Sequence, residues 1–109
     1  MKLIIAVVQD KDVGRLVEQL VKRGYQSTKL ASTGGFLKEG NTTLLIGTQD
    51  DRVDEAIHVI EATCHSRKQL VSPVTPPSGP AEAYIPYPVE VRVGGATVFV
   101  LDVEQFKKV

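Results

Sequence analysis

The sequence predicts an α+β sandwich, in which a mainly antiparallel sheet carries two helices on one face. Three observations lead there. A short, continuously apolar run, Leu3 to Val8, is followed at once by apolar residues at helical spacing. The same succession of strand pattern and helix pattern recurs between Thr42 and Cys64. The last strongly apolar stretch, Ala96 to Val103, is too short for another amphipathic helix and reads as a strand. With 109 residues, 42% hydrophobic and 24% charged, the chain is expected to form one domain over residues 1–109.

The elements follow in order. Leu3 to Val8 reads as a central strand, buried on both faces. Asp10 and Asp12 are expected to cap the first helix, whose apolar stripe is Val13, Leu16, Val17, Leu20 and Val21. Gly24 after Lys22 and Arg23 is a helix stop. A second strand is expected over Tyr25 to Ser32 and a third over Thr42 to Gly47, with a glycine-bounded loop between them. Asp50 and Asp51 open a second helix, with a stripe of Val53, Ala56, Ile57, Ile60 and Cys64. Residues 72–88 contain all six prolines and read as a long loop. Val89 to Val93 alternates like a half-exposed strand, and Gly94-Gly95 reads as a hairpin turn into Ala96 to Val103. Glu104 to Val109 is expected to form a short helix.

This βαββαββ order, with two βαβ-like halves, predicts a ferredoxin-like sandwich. Val98-Phe99-Val100-Leu101 is apolar on both faces, while only two helices are available to cover the sheet. Self-association through sheet faces is therefore expected.

Composition excludes several functions. The net charge is zero, which does not suit a clamp on long nucleic acid, although one small nucleotide remains possible. The single cysteine, Cys64, cannot form an intramolecular disulfide, which suits a reducing compartment. The first apolar run is too short to span a bilayer and lacks a small-residue cleavage region, so a cytoplasmic protein with no membrane partner is expected.

Catalytic signatures are equally sparse. His58, Cys64 and His65 lack the paired-cysteine spacing of structural zinc, so no metal is expected. Cys64 and His65 are adjacent on a helix, where neighbours point to different faces. There is no Gly-x-Ser-x-Gly elbow and no glycine-rich phosphate loop. The turn Gln9-Asp10-Lys11-Asp12 carries two acids that would repel phosphate, which disfavours an acylphosphatase-like enzyme on this fold. No catalytic residue is assigned.

Binding signals are stronger. In Thr33-Gly34-Gly35-Phe36-Leu37-Lys38-Glu39-Gly40-Asn41, two bulky apolar residues lie between glycine turns. Burying such a side chain is worth roughly 1.5–3 kcal/mol, so a loop that holds two of them near water suggests a covering ligand or subunit. One reading makes the stretch a plain connection with Phe36 folded onto the core. The other makes it a purine pocket, with Phe36 and Leu37 against the base. There Asn41 reads the base edge, Thr28 donates to a phosphate and Gly47 leaves its backbone open. The proline-rich stretch, with Tyr84, Ile85 and Tyr87, reads either as a rigid connection or as a lid or partner surface.

At this level of detail the sequence resembles a known family. Thr28-Lys29-Leu30, Thr33-Gly34-Gly35-Phe36-Leu37, Gly40-Asn41-Thr42-Thr43, Asp51-Arg52-Val53, Gln69-Leu70-Val71-Ser72-Pro73, Tyr84-Ile85-Pro86-Tyr87-Pro88 and Gly94-Gly95-Ala96-Thr97-Val98-Phe99 resemble the PII-like cyclic di-AMP receptors of Gram-positive bacteria, nearly from end to end. The resemblance implies a PII-like, ferredoxin-like homotrimer that binds one cyclic di-AMP in each cleft between subunits, acts in signal transduction and catalyses nothing. It implies that Gly35, Phe36 and Leu37 line one adenine, with Asn41 and Gly47 beside it. Thr28 would approach a phosphate and Phe99 would wall the cleft. Gln26 stands where the family often has arginine, and Gly24 where it often has asparagine. Gln26 still hydrogen-bonds but offers no charged fork. A PII-type sensor of ATP and 2-oxoglutarate is the nearest rival; it needs a long loop after the second strand and basic residues for a triphosphate. A ligand-free interaction adaptor is the other alternative.

Overall fold

The computed structural model describes residues 1–30, 40–71 and 89–109. The elements are β1 (Lys2–Gln9), α1 (Asp10–Lys22), β2 (Ser27–Lys29), β3 (Asn41–Thr48), a 3-10 turn (Asp50–Arg52), α2 (Val53–Cys64), β4 (Arg67–Val71), β5 (Val89–Val93) and β6 (Ala96–Asp102). Four strands form an antiparallel sheet in the order β2-β3-β1-β6, and β4 pairs with β5 in a separate two-stranded ribbon. In the main sheet the β1–α1–β2 and β3–α2–β6 units interleave, as in a ferredoxin-like sandwich.

Residue alternation in β1 sets the layers. Ile4, Ala6 and Val8 are buried, whereas Leu3, Ile5 and Val7 point to the opposite face. From β3, Leu44 and Ile46 join the buried set. The helices close it with Val13, Leu16 and Leu20 of α1 and with Val53, Ala56, Val59, Ile60 and Cys64 of α2. The helical stripes follow the predicted spacing except at Val21, which is 63% exposed. Helix α1 stops where expected. Gly24 takes φ +82 and its amide donates to the Val21 carbonyl at 3.0 Å. Tyr25 is buried behind it; its hydroxyl donates to the Arg52 carbonyl at 2.8 Å and the Arg52 guanidinium stacks 4.2 Å from its ring centre.

Several sequence expectations are corrected. Asp10 and Asp12 do not cap α1. The capping position is Gln9, without a side-chain cap bond. Asp10 accepts from the Thr42 hydroxyl at 2.5 Å, tying α1 to β3. Asp12 is buried, and its Oδ1 pairs with Arg67 Nη2 at 3.0 Å. That bond raises the Arg67 pKa above its ordinary value. Asp50 and Asp51 open the 3-10 turn, and α2 itself starts at Val53. Among the described residues the second strand covers Ser27–Lys29, starting later than Tyr25, although Leu30 still donates to the Thr43 carbonyl at 2.8 Å; the last two residues of the expected strand, 31 and 32, lie outside the described residues. Residues 103–109 form no regular helix. The proline-rich stretch and most of the glycine loop lie outside the described residues.

The ribbon was not foreseen. Lys68, Gln69 and Leu70 are all exposed, so β4 shows no apolar alternation to announce a strand. Its pairing with β5 also overturns the expected hairpin at Gly94-Gly95. The two glycines, at φ +82 and +92, instead carry the chain from the ribbon into the main sheet, where β6 pairs with β1. The Gly94 amide donates to Gln9 Oε1 at 2.7 Å, and the Gly95 amide bonds to the Cys64 carbonyl. A Cβ at Gly94 meets the His65 carbonyl oxygen at 2.5 Å as well as the Arg67 guanidinium.

Gly94→Ala is expected to lower the unfolding free energy by about 2 kcal/mol or more, because both backbone conformation and space oppose it; an unchanged urea midpoint refutes this. A second expectation concerns pH. Burial pushes the Cys64 thiol up to about 11, with the Asp12 charge adding to the rise. The folded chain therefore keeps the Cys64 proton after the unfolded chain has released it near pH ~8.5. This contribution to stability is complete below that pH and declines as pH rises toward 11. Denaturation of the wild type and of Cys64→Ala at pH 7.5 and pH 10 checks it, the variant being expected to lose less stability between the two.

Candidate ligand-binding site

The face of the sheet opposite the helices is apolar at its centre and polar toward β2. Register assigns its members. Thr28 lies opposite Leu45, Leu45 opposite Ile5, and Ile5 opposite Phe99. One row further along, Gly47 lies opposite Leu3, and Leu3 opposite Leu101. Residues paired across an antiparallel ladder share a face, so these side chains form one surface. Phe99 and Leu101 remain 53% and 48% exposed on it.

At one end of this surface lies a cavity of about 470 Å³. Leu3 and Leu45 supply apolar floor, Gln26 and Thr28 form a polar wall, and Gly47 lies between them. Met1, Val103 and Phe106 complete the lining, which contains no charged side chain. The glycine matters because a side chain there would point into this space. A Cβ at Gly47 has only Met1 Cε near it, at 3.5 Å. Ion pairs to residues beyond the lining hold the rim. The Met1 amino group lies 2.7 Å from Asp50 Oδ1, whose pKa that hydrogen bond lowers, and Lys2 pairs with Asp102.

The structure thus brings together Gln26, Thr28 and Gly47 of the residues singled out from sequence. Asn41 is exposed at the opposite end of β3, six residues from Gly47, or about 20 Å along the strand. Phe99 shares the row of Thr28 but lies three strands away, about 14 Å, on β6. Within one chain neither lines the cavity. Gly35, Phe36 and Leu37 lie outside the described residues. Sequence reasoning missed Phe106; an isolated aromatic between Gln105 and Lys107-Lys108 was its only signal.

Two further hollows flank the sheet. One, of about 590 Å³, lies beyond the β2 edge and is lined by Val17, Val21 and Tyr25, and again by Gln26 and Thr28. The other, of about 450 Å³, lies between α2 and β6, with Ile57, Ile60, Cys64 and Val98 in its wall. Among the described residues no group of three or more His, Cys, Asp or Glu side chains is arranged to hold a metal ion, and no helix is long and apolar enough to cross a membrane.

Comparison with known proteins agrees with this architecture. The family model for the cyclic-di-AMP receptor matches residues 1–109. A nitrogen fixation nifHD region GlnB-like protein of Methanothermococcus thermolithotrophicus is 33% identical over 93 residues, covering 69% of this chain and 89% of that protein. A crystal structure of a functionally unknown protein from Pediococcus pentosaceus superposes with a TM-score of 0.80 at 42% identity, covering 99% of this chain and 96% of the other. Fold, register and a match along the whole sequence lead to one assignment: the chain belongs to the cyclic-di-AMP receptor family.

Proposed function

We propose that this protein is a non-catalytic receptor for cyclic di-AMP, that it works as a homotrimer in the cytoplasm, and that ligand binding orders loops that a partner protein reads. The observation that carries the proposal is the open-face cavity, where Gln26, Thr28 and Gly47 meet in a chain whose whole length matches the receptor family. Each component suits part of a cyclic dinucleotide. The Thr28 hydroxyl donates to a phosphate oxygen, and Gln26 both donates and accepts. Gly47 lets a flat base approach the backbone. The floor of Leu3 and Leu45 takes the apolar face of a purine.

The remaining binding residues come from elsewhere. Asn41 and Phe99 stand too far from the cavity to serve the same ligand in one chain, but they serve it where two subunits meet. The half-exposed Phe99 and Leu101 favour such a meeting, since joining sheet faces removes their surface from water at about 25 cal/mol per Å². Gly35, Phe36 and Leu37 cover one adenine from the glycine loop. Gln26 supplies a neutral hydrogen bond where an arginine would supply a charged fork, which weakens affinity and leaves ligand identity unchanged. Binding shifts the loops only as far as the ligand prefers one arrangement over another.

Calorimetry with cyclic di-AMP tests the proposal. Heat at micromolar protein is expected; no heat with cyclic di-AMP together with heat from ATP overturns it. Phe36→Ala is expected to weaken binding at least about tenfold, the loss of one stacked base, while size-exclusion chromatography shows an unchanged assembly. Gly47→Val is expected to abolish measurable binding by filling the cavity. Its melting temperature should stay within a few degrees of the wild type, because the site has room for a Cβ and a β-branched residue suits an exposed sheet face.

A further inference from the structure

The segment after β6 does not simply leave the sheet. The Val103 amide donates to the Met1 carbonyl at 3.2 Å, which prolongs the β1–β6 ladder by one bond. Three residues later Phe106 reaches the cavity that Gln26, Thr28 and Gly47 line. These walls come from opposite edges of the four-stranded sheet, β2 on one side and the continuation of β6 on the other.

Phe106 is nevertheless 66% exposed. An aromatic ring so open gains little from its own chain, so packing within the subunit does not account for its position. A ring held beside a polar wall and an apolar floor is the arrangement that sandwiches a flat heteroaromatic base. We infer that Phe106 is a ligand-binding residue that stacks on an adenine of the bound cyclic dinucleotide, with the Val103–Met1 bond positioning the segment that carries it. This rests on the reading of the cavity as the cyclic di-AMP site. It adds a base contact from the chain's own tail, separate from the glycine loop. Aromaticity is the requirement, so tyrosine and tryptophan should serve where leucine, of similar bulk, should not.

The test uses the full chain and cyclic di-AMP. Affinities of the wild type, Phe106→Ala, Phe106→Leu and Phe106→Tyr are measured by calorimetry. Alanine and leucine are expected to weaken binding about tenfold or more, and tyrosine by no more than about threefold. The chain contains no tryptophan, so Phe106→Trp introduces a single reporter. Its emission is expected to be quenched by cyclic di-AMP with the midpoint that calorimetry gives. A wild type that gives no heat overturns the reading of the cavity itself. A wild type that binds, with Phe106→Leu unweakened or the tryptophan emission unmoved at saturation, overturns the role of Phe106 alone. A ligand-free Phe106→Ala protein that dissociates, or melts several degrees lower, also overturns it, by making the ring a structural contact.

Discussion

Strand β1 is hydrogen-bonded on both sides along nearly its whole length, to β3 and to β6, and this double register constrains everything else. A slip by one residue against either neighbour would move Ile4, Ala6 and Val8 out of the core and Leu3 and Ile5 into it. The core therefore holds the register, and the register in turn aligns Leu3 with Gly47 on one side and Leu101 on the other. The open-face cavity is thus a by-product of how the hydrophobic interior is organised: its floor residues Leu3 and Leu45 alternate along β1 and β3 with the residues that pack against the helices.

A second constraint connects the ribbon to this body. Asp12 is buried, and one of its oxygens accepts from Arg67 while Oδ2 has no hydrogen-bond partner among the described residues. A buried carboxylate satisfied on one side alone depends strongly on that single cation. Gln9 Oε1 and the Cys64 carbonyl accept from the amides of Gly94 and Gly95, so the ribbon end where Arg67 pairs with Val93 is fastened both to the start of α1 and to the end of α2. The link is polar and specific, in contrast with the apolar packing of the main sheet.

Much of this was legible in the sequence because it rested on periodicity. The run Leu3 to Val8 and the helical stripes ending at Leu20 and Cys64 mark the elements that build the core. Gly24 marks the stop of α1. What could not be read depended on non-local partners. Asp12 has the composition of a cap, but Arg67, distant in sequence, draws it into a buried pair. Gly94-Gly95 has the chemistry of a hairpin, but β4 captures β5 before β6 can. Gln26, Thr28 and Gly47, singled out through resemblance and side-chain chemistry, do line one cavity. Phe106 was not legible, because a lone aromatic beyond the last strand has no period to betray its neighbours.

The polar wall of the cavity is built on the weakest strand of the sheet. Among the described residues β2 contributes three residues to the ladder, of which Thr28 and Lys29 are exposed, and a further bond from Leu30 extends it. Its opening exposes little apolar surface, so its amides belong to the class that exchanges with solvent through local fluctuation, without global unfolding. Gln26 and Thr28 also face the hollow beyond the β2 edge, so a shift of this one short strand reshapes both spaces together. The sheet thus joins three strands of long register, β1, β3 and β6, to a lightly paired margin, β2, whose wall is shared by the hollows on both of its sides.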